Sequence, residues 1–405
     1  MTSASDRPPQ PVFKLSDLIY DTRYRSMTIQ TVALILLMLF FAWLISNTVA
    51  NLASLGKDFN FGFLDQRAGY DINQALIPYS SNDTHARAAV VGILNTLLVA
   101  VLGCVLATVL GVIAGVLRLS KNWLVAKLMT VYVEGFRNIP LLLWIIAIFA
   151  LMTEATPSPR DFREGGVASM WLWESVAVSN RGVYIPAPVW LPGSWLVVTV
   201  FMLSIVGAIA YRRYARKVLY DTGRLLPMGW PSLAIVVLPA LLIYFLMGMP
   251  ISLDYPVLGG FNFGGGIQLR NSLIALWLAL SLYTGAFIAE IVRAGILSVS
   301  KGQTEAAFAL GMRPGRTMNL VILPQAMRVI VPPLISQYLN LTKNSSLALA
   351  VGYMDVRSTL GGITINQTGR ELEGMLLLGL FYLLLSLLIS GGMNFYNSRI
   401  KLKER

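Results

Sequence analysis

The chain is poor in the residues that most catalytic and metal sites are built from. It has one cysteine, Cys104, and one histidine, His85. A single cysteine excludes an intrachain disulfide, and Cys104 lies inside an apolar segment, where it reads as packing. One His and one Cys far apart leave no ligand set for a transition metal. His85 reads as part of a polar loop, with no nucleophile and carboxylate around it. No Gly-x-x-x-x-Gly-Lys-Ser/Thr sequence occurs, so the chain has no phosphate-cradling loop of its own. Charge is also scarce: 13% of the 405 residues are Asp, Glu, Lys or Arg, against roughly 25% in soluble domains. The first 27 residues are polar and of mixed charge, unlike a cleavable signal peptide, so the first apolar segment is expected to stay as an anchor.

Apolar residues are what the chain has in excess, at 56%. A spanning helix needs about 20 mostly apolar residues. Eight segments qualify: 28–50, 88–117, 124–152, 194–211, 231–249, 271–292, 329–354 and 374–397. They predict an all-α membrane protein with about eight transmembrane helices. The expected division is a polar segment at 1–27, three spans at 28–152 with an outer loop at 51–87, and an inserted region at 153–269 with an outer loop and two spans. A core follows at 270–398, with a polar loop at 301–324 and a basic tail at 399–405. Net charge is +12, but the basic residues flank the spans, and no basic patch is interleaved with aromatics as nucleic-acid binding would require. Of the 32 Lys and Arg, 20 fall in the amino-terminal segment, the tail, and the loops after the second, fourth and sixth spans. Positive loops stay inside, so both termini and the 301–324 loop are expected in the cytoplasm. Of the two long outer loops, 52–87 and 153–193, the second holds Trp171, Trp173 and Trp190, with Trp195 at the next helix edge. They read as interfacial anchors or as part of a docking surface for a soluble partner.

Charges inside spans are costly and tend to face a bundle interior or a pathway. Glu134 and Arg137 stand three apart, a spacing that places them on one helix face. Glu290 and Arg293 repeat it, with Thr284 further back on the same span. Two readings fit: an inner gate that changes between transport states, or static ion pairs and snorkelling side chains near the interface. Lys343 sits in the seventh span and is followed by Asn344, Ser345 and Ser346, residues that favour helix breaks and caps. Here the alternatives are a fresh helix start whose amides receive a substrate carboxylate beside Lys343, or a kink with Lys343 reaching a carbonyl or the outer surface.

The polar loop has the most specific pattern. Glu305-Ala306-Ala307 is followed by three residues, Gly311, nine residues, Val321, any residue, and Leu323-Pro324. Residues 305–310 read as a short helix, with Glu305 in its first turn, Gly311 at its C-cap and Arg313-Pro314-Gly315 as the break. Ala306, Ala307 and Ala309 make a smooth surface that another protein can approach. This order closely resembles the cytoplasmic coupling loop of bacterial ABC importer permeases, departing from it only in Val321, where the family usually has Ile. Glu-x-x-Arg-x-x-Pro from Glu134, Glu-x-x-Arg-x-Gly from Glu290, and the Lys-Asn-Ser-Ser-Leu turn at 343–347 resemble the polar amino-acid branch. The inserted helix pair resembles its longer general L-amino acid and glutamate/glutamine/aspartate/asparagine permeases.

The resemblance implies a type I importer permease in the bacterial inner membrane. It implies two ATPase chains that use ATP, a second homologous permease, a periplasmic binding protein and an amino-acid substrate. No cofactor and no catalytic residue are expected on this chain. A coupling role is implied for Glu305, Ala306, Ala307, Gly311, Leu323 and Pro324. The alternative from another class is an ion- or proton-coupled secondary amino-acid transporter, with the intramembrane charges as its relay. A non-transporting scaffold would have little reason to carry those charges.

Overall fold

The computed structural model describes residues 17–400 apart from 55, 57 and 225. Most of the polar segment at 1–27 and of the basic tail at 399–405 lies outside the described residues. The chain divides into two compact units, Met1–Asp65 and Gln66–Arg405. The first is built on one long helix, α1 (Thr22–Ser54), whose apolar residues are exposed almost throughout.

The second unit holds α2 (His85–Leu117), α3 (Trp123–Asn138), α4 (Leu141–Glu154), α5 (Ser194–Thr222), α6 (Gly229–Leu246), α7 (Asn271–Leu297), α8 (Lys301–Ala309), α9 (Leu323–Asn344) and α10 (Glu371–Ile400). Among the described residues of the whole chain, seven helical stretches are long and apolar enough to cross a bilayer, and a bent pair makes eight. That pair is α3 and α4, which the sequence reading takes as one span over 124–152. They meet at 109°. Pro140 is the cause. It biases the residue before it away from helix, and Ile139 is extended at φ −108°, ψ 135°.

The core forms around α7, the most buried of these spans, where Leu276, Leu280, Ile288 and Ala289 are inaccessible to solvent. Lipid is as apolar as a leucine side chain, so helices in a bilayer associate by close packing rather than by leaving water. α2 is built for that. Gly103, Ala107, Gly111 and Gly115 recur every fourth residue along one face. A Cβ at Gly111 would lie 2.5 Å from Ile288 Cβ, and one at Gly115 would lie 2.6 Å from the Ala289 carbonyl oxygen. The backbones of α2 and α7 therefore touch.

The chain is mostly helical, as expected, and the inserted region adds short strands to its two spans. Among the described residues there are seven: β1 (Ala177–Ser179), β2 (Gly182–Ile185), β3 (Ala187–Trp190), β4 (Ile251–Asp254), β5 (Val257–Leu258), β6 (Phe263–Gly264) and β7 (Ile267–Leu269). β3 precedes α5 and β4 follows α6, and their antiparallel pairing, Trp190 opposite Ile251, closes the mouth of that helix hairpin. β2 pairs with β7, Tyr184 opposite Gln268, and so ties the insertion to the start of α7. Tyr184 is buried against Phe263 and donates its hydroxyl to Asn262 Oδ1 at 2.7 Å. Trp171, Trp173, Trp190 and Trp195 are all exposed.

His85 is not in a polar loop. It is the first residue of α2, buried, with its ring Nδ1 3.1 Å from Thr364 Oγ1. Thr84 caps this helix by accepting from Arg87 N–H.

Candidate functional site

Between α7 and α9 the chain leaves the bundle. Ser300 is extended and α8 starts at Lys301, four residues before the expected start. Glu305 therefore stands in the second turn, and its pairing with the positive helix end is lost. The helix ends as the sequence indicates. Gly311 is left-handed at φ +72°, its N–H bonds Phe308 O at 2.9 Å, and Met312 N–H bonds Ala307 O at 3.0 Å. These two bonds are a Schellman cap, which needs a left-handed residue at that position. Ala307 is buried, whereas Glu305, Ala306 and the apolar Phe308, Leu310 and Leu320 are exposed.

The return path to the bundle is a single turn at Pro314–Thr317 and a π stretch at Met318–Ile322. Pro324 has no N–H for Leu320 to accept, and the turn before it widens so that Leu323 N–H reaches Met318 O. Leu323 and Pro324 are exposed at the start of α9. Gln325 Nε2 donates to Gln303 Oε1 at 3.3 Å and to Val321 O at 3.0 Å, tying α8 to α9.

One loop before α8, the charges of three helices converge. Glu290 and Arg293 pair as the spacing predicts, with Arg293 Nη2 2.6 Å from Glu290 Oε1. Glu134 and Arg137 do not pair with each other. They sit at the end of α3 and reach across helices instead. Glu134 Oε1 is 3.6 Å from Arg118 Nη2, and Arg137 Nη1 is 4.0 Å from Glu290 Oε2. The hub is Arg118, which caps the end of α2 and also bonds Glu290 through Nη1. Three guanidiniums thus surround Glu290, and Arg137 also lies over the Phe287 ring, 5.3 Å from its centroid. Thr284 is buried on α7 and takes no part in these ion pairs.

The 343–346 stretch does not begin a new helix. α9 passes at Asn344 into a 3₁₀ run, Ser345–Val351, with helical backbone angles through the joint. Ser345 Oγ donates to Thr342 O and Ser346 Oγ to Lys343 O. The hydroxyls serve the carbonyls of the preceding turn, and no row of free amides opens here. Lys343 is exposed, Asn344 half-buried and Ser345 buried. The chain turns later, at Gly352, which is left-handed at φ +70°.

Past that turn, Asp355 is fully buried, a residue that sequence reasoning missed. Its Oδ1 accepts from Ser358 N–H at 2.8 Å and Ser358 Oγ at 2.9 Å, while Oδ2 has no hydrogen-bond partner. Burial pushes the carboxyl up to about 6. The turn is held to α2, where Tyr353 donates to Asn95 O at 3.0 Å and Val356 N–H bonds Thr96 Oγ1 at 3.1 Å. Gly92 makes room, since a Cβ there would lie 2.1 Å from Thr359 Oγ1.

The family model described as "Binding-protein-dependent transport system inner membrane component" matches residues 217–402. Over the whole length of both chains, the sequence is 57% identical to the glutamate/glutamine/aspartate/asparagine transport system permease protein of Rhodobacter capsulatus. It is 46% identical to the general L-amino acid transport system permease protein of Rhizobium johnstonii, covering 96% of this chain and 95% of that one. A probable glutamine ABC transporter permease protein of Bacillus subtilis is 42% identical over 124 residues, 31% of this chain and 57% of its own. Among solved structures, an amino acid ABC transporter with histidines is similar at TM-score 0.45 and 18% identity, covering 78% of this chain and 95% of that one.

Proposed function

This chain belongs to the family of binding-protein-dependent transport system inner membrane components, and from that premise we propose that it is the permease subunit of an ATP-driven bacterial importer for polar L-amino acids. It is a multi-pass inner-membrane protein. Its substrate class follows the full-length relatives, and the transport partners it needs are two ATPase chains, a second permease and a periplasmic amino-acid-binding protein. The ATPases bind and use the ATP; this chain binds no cofactor. Both termini and the 301–324 loop face the cytoplasm in this reading, in keeping with the placement of the basic residues. The ion-coupled alternative finds no support in the relatives named above.

The observation that carries the reading is α8 itself. It is a short helix fixed at its end by a Schellman cap and tied to α9 by Gln325, with Phe308 and Leu310 exposed at its end and Leu320 exposed on the return path. An apolar surface on a rigid protrusion is what a partner's groove receives. Burying about 200 Å² of it would contribute about 5 kcal/mol gross, before the costs of association. Closure of the ATPases would press on α8 and, through residues 298–300, on α7. Movement of α7 against α2 and α3 has to part Glu290 from Arg118 and Arg137. Arg293 rides on the same helix and stays with Glu290, so the carboxylate keeps a partner while the gate opens. Thr284, Lys343, Asn344 and Ser345 are assigned to the pathway, with Lys343 facing the second permease.

The test is ATPase recruitment by the complete complex. Gly311→Asp puts a side chain at a left-handed position where nothing else crowds it, so the Schellman cap is weakened without a clash. Glu305→Lys reverses an exposed charge. Either is expected to abolish amino-acid-stimulated ATP hydrolysis, or copurification of the ATPase, while the chain remains in the membrane. Full coupling in both variants would overturn the assignment of α8.

A further inference from the structure

The far end of α7 borders a cavity of about 200 Å³. α7 has 27 residues and runs about 40 Å, so this cavity lies across the membrane from α8. The start of α7 supplies Arg270, Asn271 and Ser272, the turn between β1 and β2 supplies Asn180 and Arg181, and Asn73 and Thr153 complete the polar lining. Pockets for drug-sized ligands run roughly 300–1,000 Å³, so this one suits something smaller.

Its chemistry is unbalanced in two ways. No acidic residue lines it, yet it contains two guanidiniums. Arg270 is half-buried and makes no side-chain hydrogen bond or ion pair among the described residues. Arg181 spends one N–H on Phe261 O at 3.2 Å, which leaves the rest of its donors. The second imbalance is of acceptors. Asn271 is 4% exposed, and its Nδ2 donates to Asn180 O at 2.8 Å. That bond fixes which way the amide faces and leaves Oδ1 buried without a donor. The Asn180 Oδ1 is orphaned in the same way. Buried acceptors in folded chains almost always find a donor.

We infer that this outer cavity binds a free α-amino acid, whose carboxylate meets Arg270 and Arg181 and whose ammonium group meets the amide oxygens of Asn271 and Asn180. A simple anion would pair with the arginines but leave both oxygens unsatisfied, and a metal cation would be repelled by the arginines. A ligand with a carboxylate and a cationic donor close together answers both imbalances at once. The first turn of α7 adds to the carboxylate side, because no side chain caps it and a long helix favours negative charge at its start. The inference rests on the reading of the chain as an amino-acid permease. It adds a second stop on the route, at the outer mouth.

The experiment uses the whole complex in lipid discs without the binding protein, and measures equilibrium binding of tritiated L-glutamine. Arg270→Gln is expected to weaken binding by about tenfold to a hundredfold, as for a lost hydrogen bond to a charged group. Arg270→Lys should restore part of it, and Arg181→Gln, at an exposed residue, should weaken it without risk to folding. Propionate and inorganic phosphate, which lack the ammonium group, should compete at least tenfold less well than L-alanine. Unchanged glutamine affinity in both Gln variants overturns the proposal, as does no binding by a complex that transports. Equal competition by propionate would make the cavity an anion site and also overturn it. Weakened docking of the binding protein with unchanged glutamine affinity would assign the arginines to a protein partner instead. ATP-driven amino-acid uptake by the unmodified complex is scored separately. Its absence would sink the permease reading itself.

Discussion

Replacing Arg118 by Gln removes the guanidinium that ties the end of α2 to Glu290 on α7. The Arg118 side chain is 10% exposed and that of Glu290 27%. The pair therefore falls between a surface ion pair, at about 0–1 kcal/mol, and a buried one, where losing a partner costs about 3–5 kcal/mol. A value of about 2 kcal/mol is consistent with both limits. Glu290 keeps Arg293 at 2.6 Å and Glu134, which loses Arg118, is half exposed to solvent, so Arg118→Gln leaves no buried carboxylate unpaired, and what is lost is the tie between helices. If that tie exists in one transport state and not the other, about 2 kcal/mol shifts the resting equilibrium roughly thirtyfold. The assay is basal ATP hydrolysis by the complex in lipid discs without binding protein, for Arg118→Gln, Glu290→Gln and the double variant. Each single change should raise basal hydrolysis by about tenfold to thirtyfold. The double variant should rise no further than the larger single, because both break the same tie. Additive effects would mean the two residues act separately. Coupling of equal size in inward- and outward-trapped complexes would mean a static brace, and the gate would be refuted.

Two further outcomes follow from the packing and the buried acid. Gly115→Val drives a side chain into the Ala289 carbonyl and the Val292 side chain of α7, and should abolish assembly as judged by size-exclusion of the complex. Gly135→Val on α3, where nothing lies within 4 Å of the added Cβ, should assemble normally. Asp355 carries a carboxyl raised by burial to about 6, against about 3.9 when unfolded. The native chain then holds a proton between about pH 4 and 6 that the unfolded chain has lost. Stability should fall as pH rises through that window, by about 3 kcal/mol at most, and stay low above it. Asp355→Asn keeps an oxygen for Ser358 and removes the slope. Thermal unfolding of both forms at pH 4.5 and 7 decides, and parallel behaviour would dismiss the buried acid as its source.

The spans were legible because bilayer thickness imposes a length that composition alone reveals. The third misled in shape, since Pro140 turns 124–152 into two helices at 109°, and hydropathy does not register angles. The Gly311 cap was legible because a helix end is a local event. The Glu134–Arg137 pairing failed for the opposite reason. Both lie in the last turns of α3, where long side chains reach neighbouring helices as easily as each other. Arg118 passed for one more basic loop residue, and the clue was its place directly after an apolar span. The strands of the insertion run two to four residues amid Gly, Pro and Asn, too short for alternation to show. Arg270 and Asn271 stood at a span boundary with nothing in their spacing to mark a cavity, which forms only when α7 meets the β1–β2 turn.

The glycine-lined contact between α2 and α7 has a mechanical corollary. The backbones touch at Gly111 and Gly115, so α2 gives α7 a hard fulcrum, across which α7 tilts as a straight lever arm. Helix displacements in switching proteins are about 1–2 Å. Over an arm of about 40 Å, 2 Å at the α8 end amounts to a tilt of about 3°, delivered undiminished to the Arg270 end. The power stroke on one side of the membrane and the receptor mouth on the other would then be geared together by stiffness, with no relay of side chains required between them.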